Sequence, residues 1–302
     1  MALIIPQTWL SVKFKNDMLK LAVMKSTVEN QPKATIKLTV VVPADRVKET
    51  HDHVLQEFAE NMTIEGFRKG KAPLDIVKKN VKEADLNGEI VNHLIREYYV
   101  AAIKEHHLTP IGNPKVTIKK FEPDADFEFE AITPLKPEVK LGDYKGELKK
   151  LHLKKNLENK GEELPLSVDE VITAISDVTD TEFSDMLIEE EVTRMLSRLL
   201  EQAETLGLGI DQYLSAQNKT AESLRKEYEE SASKNLKAEF ALGKAIELEN
   251  VKVEEAEVTE AINNVPDEKL KTRLQSGADK WYIEGILAKN KLIKQLIEGV
   301  SE

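Results

Sequence analysis

Cysteine does not occur among the 302 residues. Its absence excludes disulfides, thiol catalysis and thiolate metal sites, and it suits a reducing compartment. Long apolar runs are missing too: none reaches the roughly 18 residues that a transmembrane helix needs. The opening MALIIPQTWLSVKFKNDMLKLAV is apolar from its start, lacks a basic leader and is broken by Pro6, Lys13 and Lys15. No small-x-small cleavage site follows, so a signal peptide is not expected. Met24 begins MKSTVENQPKATIKLTV like a second start, so residues 1–23 read as an upstream extension or as the product of a wrongly placed start. Positive charge is in deficit, 43 Lys and Arg against 54 Asp and Glu. The resulting net charge of −11 disfavours general adhesion to nucleic acid or anionic lipid. Any contact with RNA must therefore be local, within a Debye length of about 10 Å.

Enzyme signatures are also lacking. GFRKGK (66–71) invites a phosphate-loop reading, but three residues separate its glycines where four are required, and Ala72 stands where Ser or Thr belongs. There is no nucleophile elbow, zinc motif or dinucleotide fingerprint. His51 and His53 are two apart and splay around a helix, and His106 and His107 are adjacent, so neither spacing makes a metal face. Glu189, Glu190 and Glu191 read as a solvated helix face. The expectation is a protein with no catalytic residue, no metal and no cofactor.

The segment ATIKLTVVV (34–42) alternates as a half-buried strand and is stopped by Pro43. A helix opens at Asp45, with Val47, Val54, Leu55 and Phe58 at helical spacing. A long amphipathic helix follows over 83–108, with Leu86, Ile90, Leu94, Tyr98, Ala101 and Ala102 on one face. Two further strands are expected at 115–121 and 126–132. The first 140 residues thus read as an α+β domain with an antiparallel sheet and helices packed on one side.

Residues 141–182 are highly charged, with no aromatic residue between Tyr144 and Phe183. GELKKLHLKKNLENKGEELPL suits either a strand and return or an exposed linker. Ser167 and Glu170 form a capping box ahead of one short helix. From Phe183 onward long helical stripes with short loops predict an antiparallel helical domain.

One loop interrupts the acidic pattern. In IEGFRKGKAP (64–73), Gly66 and Gly70 bracket Phe67, Arg68 and Lys69, and Lys71 follows. Glycines permit the backbone angles of a tight reversal. Arginine forks onto phosphate, lysine adds point charge, and a phenylalanine ring stacks on a base or fills an apolar pocket. Lys78, Lys79 and Lys82 continue the basic stretch, with Asp75 as its only acid. From the residues alone, a contact tip and a plain solvated helix–helix loop stand even.

GFRKGKAP resembles the Gly-Phe-Arg-x-Gly-Lys-x-Pro signature of the trigger factor family, bacterial chaperones that dock on the ribosome through this loop. FEFEAITPLKPEVKLGDYKG, FSDMLIEEEVTRMLSRLLEQAETLGLGIDQYL and ENVKVEEAEVTEAI resemble the same family. The resemblance implies an α+β ribosome-binding domain over 24–140 and an all-α C-terminal chaperone domain with extended helical arms over 183–302. Between them the family usually carries an FKBP-like prolyl isomerase domain of on the order of a hundred residues. Here 141–182 reads as a linker in its place, so the family's enzymatic activity is not expected.

The resemblance further implies that Phe67, Arg68 and Lys69 touch rRNA and large-subunit protein beside the exit tunnel. Gly66 and Gly70 shape the loop, and Lys71 completes it. The function expected is an ATP-independent cytoplasmic chaperone, without membrane partners, that shields nascent polypeptides from misfolding and aggregation. Met186, Leu187, Tyr213, Leu214, Trp281 and Tyr282 are candidate client contacts, each weighed against a place in the core. A homodimer of the free protein stays open. The rivals are a holdase that acts without the ribosome, a residual peptidyl-prolyl isomerase and a scaffold for a single partner.

Overall fold

The computed structural model describes residues 24–159, 164–205, 207, 209–275 and 279–301, and the backbone of Leu3–Ile4. The rest of residues 1–23, read above as an extension, lies outside the described residues. The chain forms two compact units, Met1–Pro137 with Phe183–Leu187, and Glu138–Glu182 with Ile188–Glu302.

The first unit is built on an antiparallel sheet in the order β1 (Leu3–Ile4), β4 (Lys115–Lys120), β5 (Phe127–Pro134), β3 (Thr35–Val42), β2 (Lys25–Gln31). Alternation in β3 turns Ile36, Leu38, Val40 and Val42 inward. The β3–β5 register sets them opposite Thr133, Ala131, Phe129 and Phe127, so the buried residues of the two strands coincide on one face. Three helices accompany this sheet: α1 (Ala44–Asn61), α2 (Leu74–Asn80) and α3 (Glu83–Glu105). Val47, Val54 and Leu55 of α1 and Leu86, Ile90, Leu94, Tyr98 and Ala102 of α3 complete the core. Asp126, just before β5, accepts the N–H of Ala44 at 2.9 Å and so caps α1 from outside its own sequence. Strand β2 is absent from the sequence reading because it is an edge strand: KSTVENQ is mostly polar and stays exposed or half-buried along its length.

The second unit is mostly helical, and it departs from the sequence reading in one region. Residues 141–182 are not an exposed linker. They contain α4 (Tyr144–Glu158), α5 (Val168–Asp177) and β7 (Thr179–Thr181), which pairs with β6 (Val139–Leu141) at the start of the region. Tyr144, Leu148, Leu166, Val171 and Ile175 are buried with Ala241, Leu242 and Ala245 of α8 (Ala221–Leu248) and Leu292, Ile293 and Leu296 of α11 (Lys280–Ser301). The helical character of α4 is hidden in the sequence because Leu153 and Leu157, four apart, face solvent while Leu148 faces the core. Two apolar stripes on opposite sides blur the 3.6 period. The expected capping box at Ser167 and Glu170 is formed. Helices α6 (Asp185–Thr205), α7 (Ile210–Ala216), α9 (Glu255–Asn263) and α10 (Glu268–Gln275) complete the unit.

Residue 183 is also not the start of the helical body. Thr35 donates its hydroxyl to Ser184 Oγ at 2.9 Å, and Lys33 pairs with Asp185 at 2.8 Å, so Phe183–Leu187 joins the first unit.

Candidate functional site

The basic loop is held by apolar anchors at both ends. Ile64 before it and Val77 of α2 behind it are buried, and Met62, Ala72 and Ile76 pack partly against the same core. The main chain then makes two tight turns in succession. Phe67 donates its N–H to the Ile64 carbonyl at 3.0 Å, and Lys71 donates to the Arg68 carbonyl at 2.9 Å. The third residue of each turn is a glycine with positive φ, Gly66 at +86° and Gly70 at +75°. Neither Glu65 nor Lys69 has a positive φ, so both turns are type II, the form that calls for glycine at that place. Pro73 then opens α2, its carbonyl accepting from Ile76 and Val77.

Phe67 and Arg68 stand at the junction of the two turns. Phe67 is 42% exposed, and Leu74 beyond the loop is exposed to the same degree. Arg68, Lys69 and Lys71 are exposed. None of these three, nor Lys78, Lys79 or Lys82, pairs with a carboxylate among the described residues. Lys78 and Lys79 occupy the last turn of α2, where they also favour its dipole. The six residues from Gly66 to Lys71 thus form one continuous projection: an exposed aromatic ring beside cations without acid partners.

The six candidate client contacts are divided between the two units, Met186 and Leu187 in the first and the other four in the second. Leu187 is buried and Met186 half-buried in the first unit, where Leu187 serves the core. Tyr213 and Leu214 belong to α7, with Leu214 half-buried; the Tyr213 side chain lies outside the described residues. Trp281 and Tyr282 form a pair at the start of α11, 68% and 56% exposed. Their rings meet edge to face with centroids 6.1 Å apart. Sequence reasoning missed Leu153 and Leu157 of α4, which are 64% and 80% exposed, because their segment read as a linker.

Residues 24–164 match a family model described as bacterial trigger factor protein, and residues 141–298 match one described as bacterial trigger factor protein C-terminus. The curated relatives include trigger factor of Synechococcus sp. (strain JA-2-3B'a(2-13)), 37% identical over 41% of this chain and 23% of that protein. Trigger factors of Staphylococcus epidermidis and Staphylococcus aureus (strain JH9) are each 34% identical over 51% of this chain and 33% of theirs. The chain therefore spans a third or less of the length of these relatives. Among solved structures, one described as "Promiscuous Substrate Recognition in Folding and Assembly Activities of the Trigger Factor Chaperone" is 12% identical, with a TM-score of 0.62 over 91% of this chain and 100% of that one. At that identity the likeness concerns the fold, an α+β part followed by a mostly helical part. With its C-terminal model covering more than half of the chain, and the N-terminal model the part before it, the chain belongs to the bacterial trigger factor family.

Proposed function

We propose that this chain is an ATP-independent chaperone that docks at the ribosome exit tunnel through residues 66–71 and shields emerging polypeptides. The observation that carries the reading is the double-turn loop with exposed Phe67 beside unpaired Arg68 and Lys69. On a body of net charge −11, such a tip meets phosphate at one place and does not coat RNA. The cations would contact rRNA phosphate, and Phe67 would insert against a base or an apolar patch of ribosomal protein. Client chains would rest weakly on exposed apolar residues such as Trp281, Tyr282, Leu153 and Leu157. With each contact weak, folding of the client removes the exposed segments and so the affinity, and release needs no nucleotide.

The reading has no catalytic step. It is supported by the filling of 141–182 with α4, α5 and β6–β7, whose side chains join the second core. No helix among the described residues is long and apolar enough to cross a membrane. A cytoplasmic place of work accords with that and with the lack of cysteine.

The test is equilibrium binding to purified 70S ribosomes, for the full chain and for Phe67→Ala/Arg68→Ala/Lys69→Ala, with salt stepped upward. Binding that the triple change abolishes and that salt weakens supports docking through the loop. Equal binding by both proteins, or by neither, removes the loop from the mechanism and leaves a holdase that works free of the ribosome.

A further inference from the structure

Helices α1 and α3 bring together three side chains of metal-ligand type. His53 and Glu57 lie one turn apart on α1, and His93 reaches them from α3. His53 Nδ1 stands 3.6 Å from Glu57 Oε1, and His93 Nε2 stands 3.4 Å from Glu57 Oε2. One ligand atom from each residue lies within 4.8 Å of the others, and no other such trio of His, Asp or Glu occurs among the described residues. Two donors on a tetrahedral ion with bonds of about 2.0–2.1 Å stand about 3.3–3.4 Å apart. Each imidazole is near that spacing from its own oxygen of Glu57, and side-chain rotation would draw the three ligand atoms in from their present spread of up to 4.8 Å.

Two further observations agree. Among the described residues no lysine or arginine pairs with Glu57, whose carboxylate faces two imidazoles. The helices that carry the trio are fixed beneath it by buried Val54, Ile90 and Leu94, so the ligands start from a set spacing. The side chains stay partly open, from 63% exposed at His53 to 30% at His93, which leaves water to complete the coordination.

We infer that His53, Glu57 and His93 bind a divalent transition-metal ion of the zinc class and thereby clasp α1 to α3. Imidazole and one carboxylate suit Zn²⁺, Co²⁺ or Ni²⁺; Mg²⁺ and Ca²⁺ prefer shells of oxygen. The clasp lies at the loop end of α1, one turn ahead of Glu60, whose main chain supports Gly70. It is independent of ribosome docking.

The test is titration of the full chain with Co²⁺, read by visible absorption, and with Zn²⁺, read by calorimetry. His93→Ala and His53→Ala are compared with His107→Asn, a control distant in sequence that keeps a residue tolerant of the positive φ at 107. The expected result is one saturable site, weakened about tenfold or more in each of the first two variants and unchanged in the control. Zn²⁺ should also raise the melting temperature of the parent and not that of His93→Ala. Far-UV circular dichroism of the variants confirms that they fold. No saturable binding overturns the inference, as does binding that survives both single variants or is lost in the control.

Discussion

Gly70 rests on the main chain of Glu60: a Cβ at position 70 would stand 3.4 Å from the Glu60 carbonyl oxygen. The loop thus turns back onto the end of the helix it left, at a residue whose φ is +75°. Gly66, the other turn glycine, has open space around it. Gly70→Ala is expected to lower stability by roughly 1–2 kcal/mol, the cost of the left-handed region for an L-residue. Chemical denaturation checks the cost, and ribosome binding should fall with it. Gly66→Ala carries the same strain without the neighbour, so the difference between the two variants isolates the Glu60 contact.

Arg68 and Lys69 differ from Phe67 in how salt should reveal them. Removing one phosphate-contacting cation is expected to reduce the slope of log affinity against log salt by about 1. Phe67→Ala should weaken binding while leaving the slope unchanged. Binding curves at four salt concentrations suffice, and identical slopes for parent and Lys69→Ala would take Lys69 off the phosphate backbone.

Tyr144 donates its phenolic O–H to Glu249, the residue that caps the C-terminus of α8, and Lys145 pairs with the same carboxylate at 2.8 Å. Burial, and then this bond, raise the tyrosine hydroxyl above its usual range. Lys145 first and Tyr144 second hold the Glu249 carboxyl below its ordinary 4.5. The folded state therefore releases this proton more readily than the unfolded one. Its contribution is present in full above pH 4.5 and is lost as pH falls below that value. Glu249→Gln should flatten this part of the acid unfolding profile. Tyr144→Phe should cost about 1.5 kcal/mol at neutral pH, the lower end for a bond to a charged group, because water reaches the freed carboxylate.

Trp281 and Tyr282 are exposed, whereas Leu187 is buried. Trp281→Ala/Tyr282→Ala is expected to leave the melting temperature nearly unchanged and to reduce suppression of aggregation of an unfolded client. Leu187→Ala should do the reverse, costing about 2–5 kcal/mol as a core truncation. Unaltered suppression in the double variant would remove this patch from the client surface.

Gly88 lies in the interior of α3 with nothing within 4 Å of the position a Cβ would take. Gly88→Ala should stabilise the protein by about 0.5–1 kcal/mol through helix propensity, as read from the unfolding midpoint.

Strong local pattern made much of this fold legible in advance. The alternation of β3, the apolar face of α3 and the Ser167–Glu170 capping box each need only residues close in sequence, and all three are present as expected. Strand β2 was not legible, because an edge strand owes its existence to pairing with β3 and not to an apolar face of its own. Helix α4 was hidden by the outward-facing Leu153 and Leu157. Trp281 fell on the apolar pattern of α11, yet it is exposed, since nothing in its own helix records which neighbours stop short of it.

By itself the sequence determined the basic loop in outline: two glycines, one aromatic and three cations within six residues leave few ways to turn and no apolar partner nearby. It also determined the family, since the residues of that loop and of both flanking parts carry the likeness. Only the tertiary structure decided that 141–182 is part of a core, because Leu148 and Ile175 are buried by α8 and α11, whose residues come some 65 to 150 positions later. The tertiary structure alone also set His93 beside His53 and Glu57, across 40 residues of chain. Local pattern records the face that a segment wants to bury. Which distant segment covers it, and which polar side chains meet at its margin, is settled only when the helices pack.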